Sequence, residues 1–139
     1  MQILDDTKLK VIRRDAGKGN VAAQVTLGYV YLKGKGLPRD YSEAFRWFQK
    51  AAEQGDAIAQ VKLGGLYWRG NGIAKSRGIA AAWFSISIAN GYTIWHHRLA
   101  TYLVKLSLTK QELQEAELFL KLQDKKRSRL TEQPAVSSL

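Results

Sequence analysis

Residues 31–57 read YLKGKGLPRDYSEAFRWFQKAAEQGDA, and one period later the chain repeats much of that text. Sliding the sequence by 36 residues lays Gly19, Ala23, Gln24, Val25, Leu27, Gly28, Tyr31, Gly34, Gly36, Ala44, Trp47 and Phe48 over their own kind. The partners are Gly55, Ala59, Gln60, Val61, Leu63, Gly64, Tyr67, Gly70, Gly72, Ala80, Trp83 and Phe84. A fixed period of this size marks stacked supersecondary units, each too small to bury its apolar face alone.

Each unit reads as two helices. Ala23, Leu27, Val30 and Tyr31 fall on one face of a first helix, and Ala44, Trp47, Phe48, Ala51 and Ala52 on one face of a second. Asp40 with Glu43 has the spacing of a capping box. Between the helices lies KGKGLPR, where glycines permit turn dihedrals and Pro38 blocks helix propagation. Gly55 and Gly91 follow the second helices, where a left-handed residue closes the end. The expected architecture is therefore all-α, a solenoid of about three stacked antiparallel helix pairs.

The third unit is degenerate. Trp95, Leu99, Tyr102 and Leu103 keep the first-helix pattern, and Ala100 takes the place of the small glycine. Thr109 and Glu112 open a second helix in which Ala116, Phe119 and Leu120 hold the core pattern, while Gln123 and Asp124 suggest a polar terminal cap. The expected organisation is an N-terminal partial repeat or cap over 1–18 and repeats at 19–54 and 55–90. A degenerate repeat with a capping helix follows over 91–126, then a frayed tail over 127–139.

The elements A-x-x-x-L-G-x-x-Y-x-x-G-x-G, A-x-x-W-F and A-A-E-Q-G-D resemble the Sel-one-like repeat family, relatives of the tetratricopeptide repeats with a longer, glycine-bearing turn. The resemblance covers 19–90 well and 91 to about 124 loosely. The second unit has Ser76 in place of the acidic cap Asp40, and the third lacks the turn glycines. The resemblance implies an α-solenoid that binds other proteins without catalysis, as an adaptor or as an immunity protein that neutralises a bacterial effector.

The residues suggest where a partner sits. If Ala23, Leu27 and Tyr31 face inward, parallel rows line the concave side: Leu32, Trp68 and Val104, then Lys33, Arg69 and Lys105. Gly65 lies between Tyr29 and Thr101 in the equivalent row and leaves a recess beside Trp68. The expected binding residues are Tyr29, Leu32, Lys33, Lys62, Gly65, Trp68, Arg69, Arg98 and Lys105. The competing reading is that Val25, Leu32 and Trp68 only pack against adjacent helices. Trp47 and Trp83 read as core. No Asp or Glu occurs from Ala57 through Gln111, and the chain carries a net charge of +10. That balance fits an acidic, partly apolar protein surface.

Other chemistry finds little support. Without cysteine there are no disulfides and no thiolate chemistry. His96 and His97 are adjacent, so on a helix they point about 100° apart and cannot chelate one metal. GKGN and GKGKG lack the pattern of a phosphate loop. No catalytic residues, cofactor or metal are expected. Nucleic acid is the alternative partner, through KKRSR at 125–129 and basic rows interleaved with Tyr29 and Trp68. A membrane surface is disfavoured because the lysines do not gather on one amphipathic helix with an exposed apolar face. The N-terminus lacks the pattern of a secretion signal and no stretch has the length of a membrane span. The expected setting is a cytoplasmic monomer, or a periplasmic or secreted one if a signal has been trimmed.

Overall fold

The computed structural model describes residues 4–92, 104–105 and 107–132, and among these it contains six long helices and no strand. They are α1 (Asp6–Gly17), α2 (Val21–Lys33), α3 (Tyr41–Glu53), α4 (Ala57–Arg69), α5 (Arg77–Ala89) and α6 (Lys110–Thr131). Each packs on the next, so the antiparallel pairs α2–α3 and α4–α5 stack side by side, with α1 before them and α6 after. The stretch expected to form the first helix of the third unit, with His96, His97 and Arg98, lies outside the described residues.

Every one of these helices starts on a side chain that accepts a backbone N–H three residues on: Asp5, Asn20, Asp40, Asp56, Ser76 and Thr109. Such caps satisfy donors the helix leaves unpaired. Asp40 accepts the Glu43 N–H at 3.1 Å, while the Glu43 carboxylate pairs with Arg46 at 3.3 Å. A reciprocal box does form at Thr109 and Glu112, with bonds of 3.2 and 2.8 Å. Ser76 caps α5 in place of the missing acid, at 3.0 Å from the Ile79 nitrogen. At the other ends, Gly34 and Gly70 adopt φ of +68° and +71° and close α2 and α4. A side chain at either position would be strained.

The repeated glycine in each first helix is a seat for an aromatic ring. A Cβ on Gly28 would lie 2.7 Å from the Phe48 ring, and one on Gly64 would lie 2.3 Å from Phe84. Phe48 is fully buried, and Trp47 and Trp83 are core residues. Buried polar groups repeat as well. Gln24 and Gln60 donate to the carbonyls of Ala16 and Ala52 and accept from the amides of Gln54 and Asn90. These relays tie each first helix to the preceding helix end and to its own partner, and they satisfy amides that would be costly to bury unpaired.

The last helix breaks the rule. α6 has 22 residues against 13 in each of α2 to α5, and only Ala116 is buried. It runs to Thr131, beyond position 126 where the sequence reading ends the capping helix. Lys125, Lys126, Arg127 and Arg129 are good helix formers, and cations suit a helix C-terminus. Its surface is also less polar than expected: Leu118 and Leu122 are 60% and 55% exposed on its outer side, and Leu130, at the rim of the side facing the stack, is 65% exposed. No helix among the described residues is long and apolar enough to cross a membrane.

Candidate functional site

The first helices α2 and α4 lie in successive units, and their side chains meet on one strip. Lys62 of α4 places its ammonium 4.9 Å from the centre of the Tyr29 ring of α2. That ring packs edge-on to Phe48 at 5.6 Å, so the core sets its orientation. A cation over an aromatic face is held by the ring quadrupole and still presents its charge outward. Tyr29 and Leu32 are half-buried against the main core cluster and so serve packing and surface together.

One turn along α4, Gly65 is open: an added Cβ would meet nothing within 4 Å. Beyond it stands Trp68, half-buried, with the Arg77 guanidinium 5.0 Å from its ring. Arg77 is itself anchored, donating to the Ser107 carbonyl and hydroxyl at 3.1 and 2.8 Å, with Glu112 at 3.8 Å. Arg77 therefore braces Trp68. No local pattern in the sequence points to this role, because its anchors, Ser107 and Glu112, lie 30 or more positions downstream.

Lys33, Arg69 and Lys105 are exposed, and among the described residues none pairs with a carboxylate. The described residues thus join Tyr29 with Lys62 directly, set Gly65 and Trp68 one turn apart on α4, and leave Lys33 and Arg69 exposed near the ends of α2 and α4. Arg98 lies outside the described residues. Among the described residues no cluster of His, Cys, Asp or Glu could hold a metal ion.

Among the described residues, two ionisable groups are shifted. The Thr109 backbone N–H, helped by its hydroxyl and by Arg77 and Lys75, holds the Glu112 carboxyl below the usual range. Burial pushes the Tyr67 phenol up, where its ring meets Phe45 at 5.5 Å.

A second feature escapes sequence reading altogether. The extra length of α6 reaches back over the second helices, and Lys126 pairs with Glu53 of α3 at 3.1 Å. Beneath this overhang is a cleft of about 850 Å³. Its lining includes the amides Gln24, Gln54, Gln60 and Asn90 and the side chains of Trp83 and Leu120. The Trp83 indole nitrogen is buried and has no hydrogen-bond partner among the described residues. The cleft arises where α6 departs from the repeat, so the repeat pattern carries no trace of it.

The Sel1 repeat model matches residues 21–56 and 57–92, adjacent and equal in length. Among solved structures, a protective antigen present in uropathogenic Escherichia coli strains and displaying an SLR fold is similar, with a TM-score of 0.77 and 33% identity. That match covers 95% of this chain and 29% of the antigen, so the chain spans less than a third of that protein. A Sel1 repeat protein from Oxalobacter formigenes is similar with a TM-score of 0.65 and 35% identity, over 70% of this chain and 73% of that one. No curated protein matches the sequence significantly.

Proposed function

This chain belongs to the Sel1 repeat family, whose members are generally non-catalytic protein–protein interaction modules, and from that premise we propose that it docks an acidic, partly apolar segment of a partner protein on the strip across α2 and α4. The observation that supports this most is the juxtaposition of Tyr29, Lys62, Gly65 and Trp68 in a stretch with no acidic residue from Ala57 to Gln111.

In this reading an apolar side chain of the partner lodges in the recess at Gly65, against the face of Trp68. Tyr29 and Leu32 extend the apolar floor. Carboxylates of the partner meet Lys33, Lys62, Arg69 and Lys105, with Arg98 continuing the row in the third unit. Trp68 is braced by Arg77 before any partner arrives, so little rotamer freedom is lost on binding. Aromatic side chains beside an Arg, set around an indentation, are the usual makings of a binding hot spot. The cations accelerate encounter and select for acidic surfaces. Among binding roles we favour inhibition of a cognate effector or enzyme over a scaffolding adaptor. A partner held across a rigid strip is blocked by occupancy alone, without any chemistry from this chain.

The test is affinity capture from the native host's lysate, identification of the partner by mass spectrometry, and titration of that partner against the double variant Trp68→Ala with Arg69→Glu. Loss of a hot spot predicts binding weaker by about 30-fold or more, with the helical fold retained. Unchanged affinity would remove the strip from the account. Retention on mixed-sequence RNA that falls steeply with salt would assign the cations to nucleic acid instead.

A further inference from the structure

Away from the strip, the outer face of α6 carries a second surface. Leu118, Leu122, Lys125 and Arg129 stand at i, i+4, i+7 and i+11, with Lys121 beside them, and so share one side of the helix. In the preceding unit the positions of the two leucines are held by Ala82, 1% exposed, and Ile86, packed on the core. There the neighbouring structure covers that side. On α6 the two leucines remain 60% and 55% exposed.

Charge on this helix is one-sided. Between positions 121 and 129 lie Lys121, Lys125, Lys126, Arg127 and Arg129, against the single acid Asp124, which lines the cleft on another side. The nearest acid on the leucine row, Glu115, lies close to Gly78 of α5. Toward its end the stripe opens into a depression of about 440 Å³ lined, among the described residues, by Leu122, Lys125, Lys126, Arg129 and Leu130. Among the described residues that lining is three cations, of which Lys126 pairs with Glu53, and two leucines.

We propose that this face of α6 seats the protein on a bilayer surface containing anionic phospholipid. A lipid phosphate enters the depression between Lys125 and Arg129, Lys126 being already paired with Glu53, while Leu118 and Leu122 enter the headgroup–acyl boundary. A basic helix with exposed leucines lies in the interface plane in this manner, combining apolar burial with attraction to anionic lipid. Nucleic acid makes no use of exposed leucines on a face without an aromatic ring. A second copy meets repulsion, because the opposite end of the stack is also basic: α1 carries Lys8, Lys10, Arg13 and Arg14 against Asp6 and Asp15. The sequence reading disfavours membranes because it sees no helix that gathers cations around exposed leucines. α6 gathers them because it runs on to Thr131.

Sedimentation of the full chain with vesicles tests the proposal, comparing phosphatidylcholine alone with phosphatidylcholine mixed with phosphatidylglycerol near 0.15 M salt. Partition onto the mixed vesicles and not the neutral ones is expected. At about fivefold per cation, Lys125→Ser with Arg129→Ser weakens partition about 30-fold. Leu118→Ser with Leu122→Ser weakens it by about tenfold or more at unchanged charge. The charge-matched pair Lys33→Ser with Arg69→Ser, on the other surface, stays within about threefold of wild type. Because the chain has no cysteine, Leu122→Cys carrying an environment-sensitive dye reports insertion directly, and Gln49→Cys on α3 serves as its control. A blue shift at position 122 and none at 49 is expected. The proposal is overturned by absence of sedimentation, by equal losses in the two charge pairs, by indifference to the leucines, or by no shift at position 122. Leucine-dependent retention on polyglutamate without vesicle binding also overturns it, and assigns the face to an acidic protein.

Discussion

The stacked pairs and the terminal helix are built from similar residue types and use them differently. Over 13 residues α3 buries Ala44, Trp47, Phe48, Ala51 and Ala52; over 22 residues α6 buries Ala116 alone. In the pairs, aromatic rings rest on glycine backbone with no room for a methyl group. On α6, among the described residues, one ring contact, Phe119 against Trp83 at 5.5 Å, and a pair of ion contacts join the helix to the stack, while Leu118 and Leu122 stay more than half exposed. The difference separates what the fold requires from what the surface is available to do.

The sharpest way to break this comparison is to remove a ring from the stack. Phe48→Ala is expected to cost about 3–5 kcal/mol in urea unfolding, whereas Leu122→Ala on α6 stays within about 0.5 kcal/mol. Equal costs would show that the two regions are held alike. Next in size is overpacking. Gly64→Ala forces a methyl against Phe84 and is expected to destabilise by about 1–3 kcal/mol, despite the better helix propensity of alanine. A neutral result would mean that the ring has another resting place.

A smaller effect probes α6 itself. Thr109→Ala removes the hydroxyl of the reciprocal cap and is expected to cost about 1 kcal/mol, with hydrogen exchange rising first in the opening turn of α6. Protection that falls equally in α3 would contradict a separately held terminal helix. The smallest effect is a pH dependence. Glu112 is held below its ordinary value in the folded chain, chiefly by the Thr109 N–H. The unfolded chain therefore binds that proton first, and the contribution of Glu112 is complete above the ordinary glutamate range. It is lost as pH falls through the lowered folded value. Melting temperature should decline in acid less steeply for Glu112→Gln than for wild type, and identical slopes would argue against the contact.

Much of this architecture is legible in the residues. The 36-residue recurrence of Gly28 with Phe48 and of Gly64 with Phe84 records one packing contact written twice, since a ring seat demands both partners. Caps at Asp40 and Thr109 and the glycines after α3 and α5 are local, so spacing alone reveals them. Of the strip, the rows containing Lys33, Arg69 and Trp68 follow from helical period. The Tyr29–Lys62 contact and the Arg77 brace join residues 33 and 9 positions apart across helices, and no period encodes them. The overhang of α6 and its cleft were illegible for a further reason: they begin where the repeat stops.

The strip is tested most directly by filling its recess. Gly65→Leu places a side chain in open space and replaces a poor helix former, so the chain should melt at or slightly above the wild-type temperature. Isothermal titration of the partner captured by the wild-type chain should then show affinity reduced by about tenfold or more. Full affinity in a folded Gly65→Leu chain would contradict the claim that α2 and α4 present the binding surface.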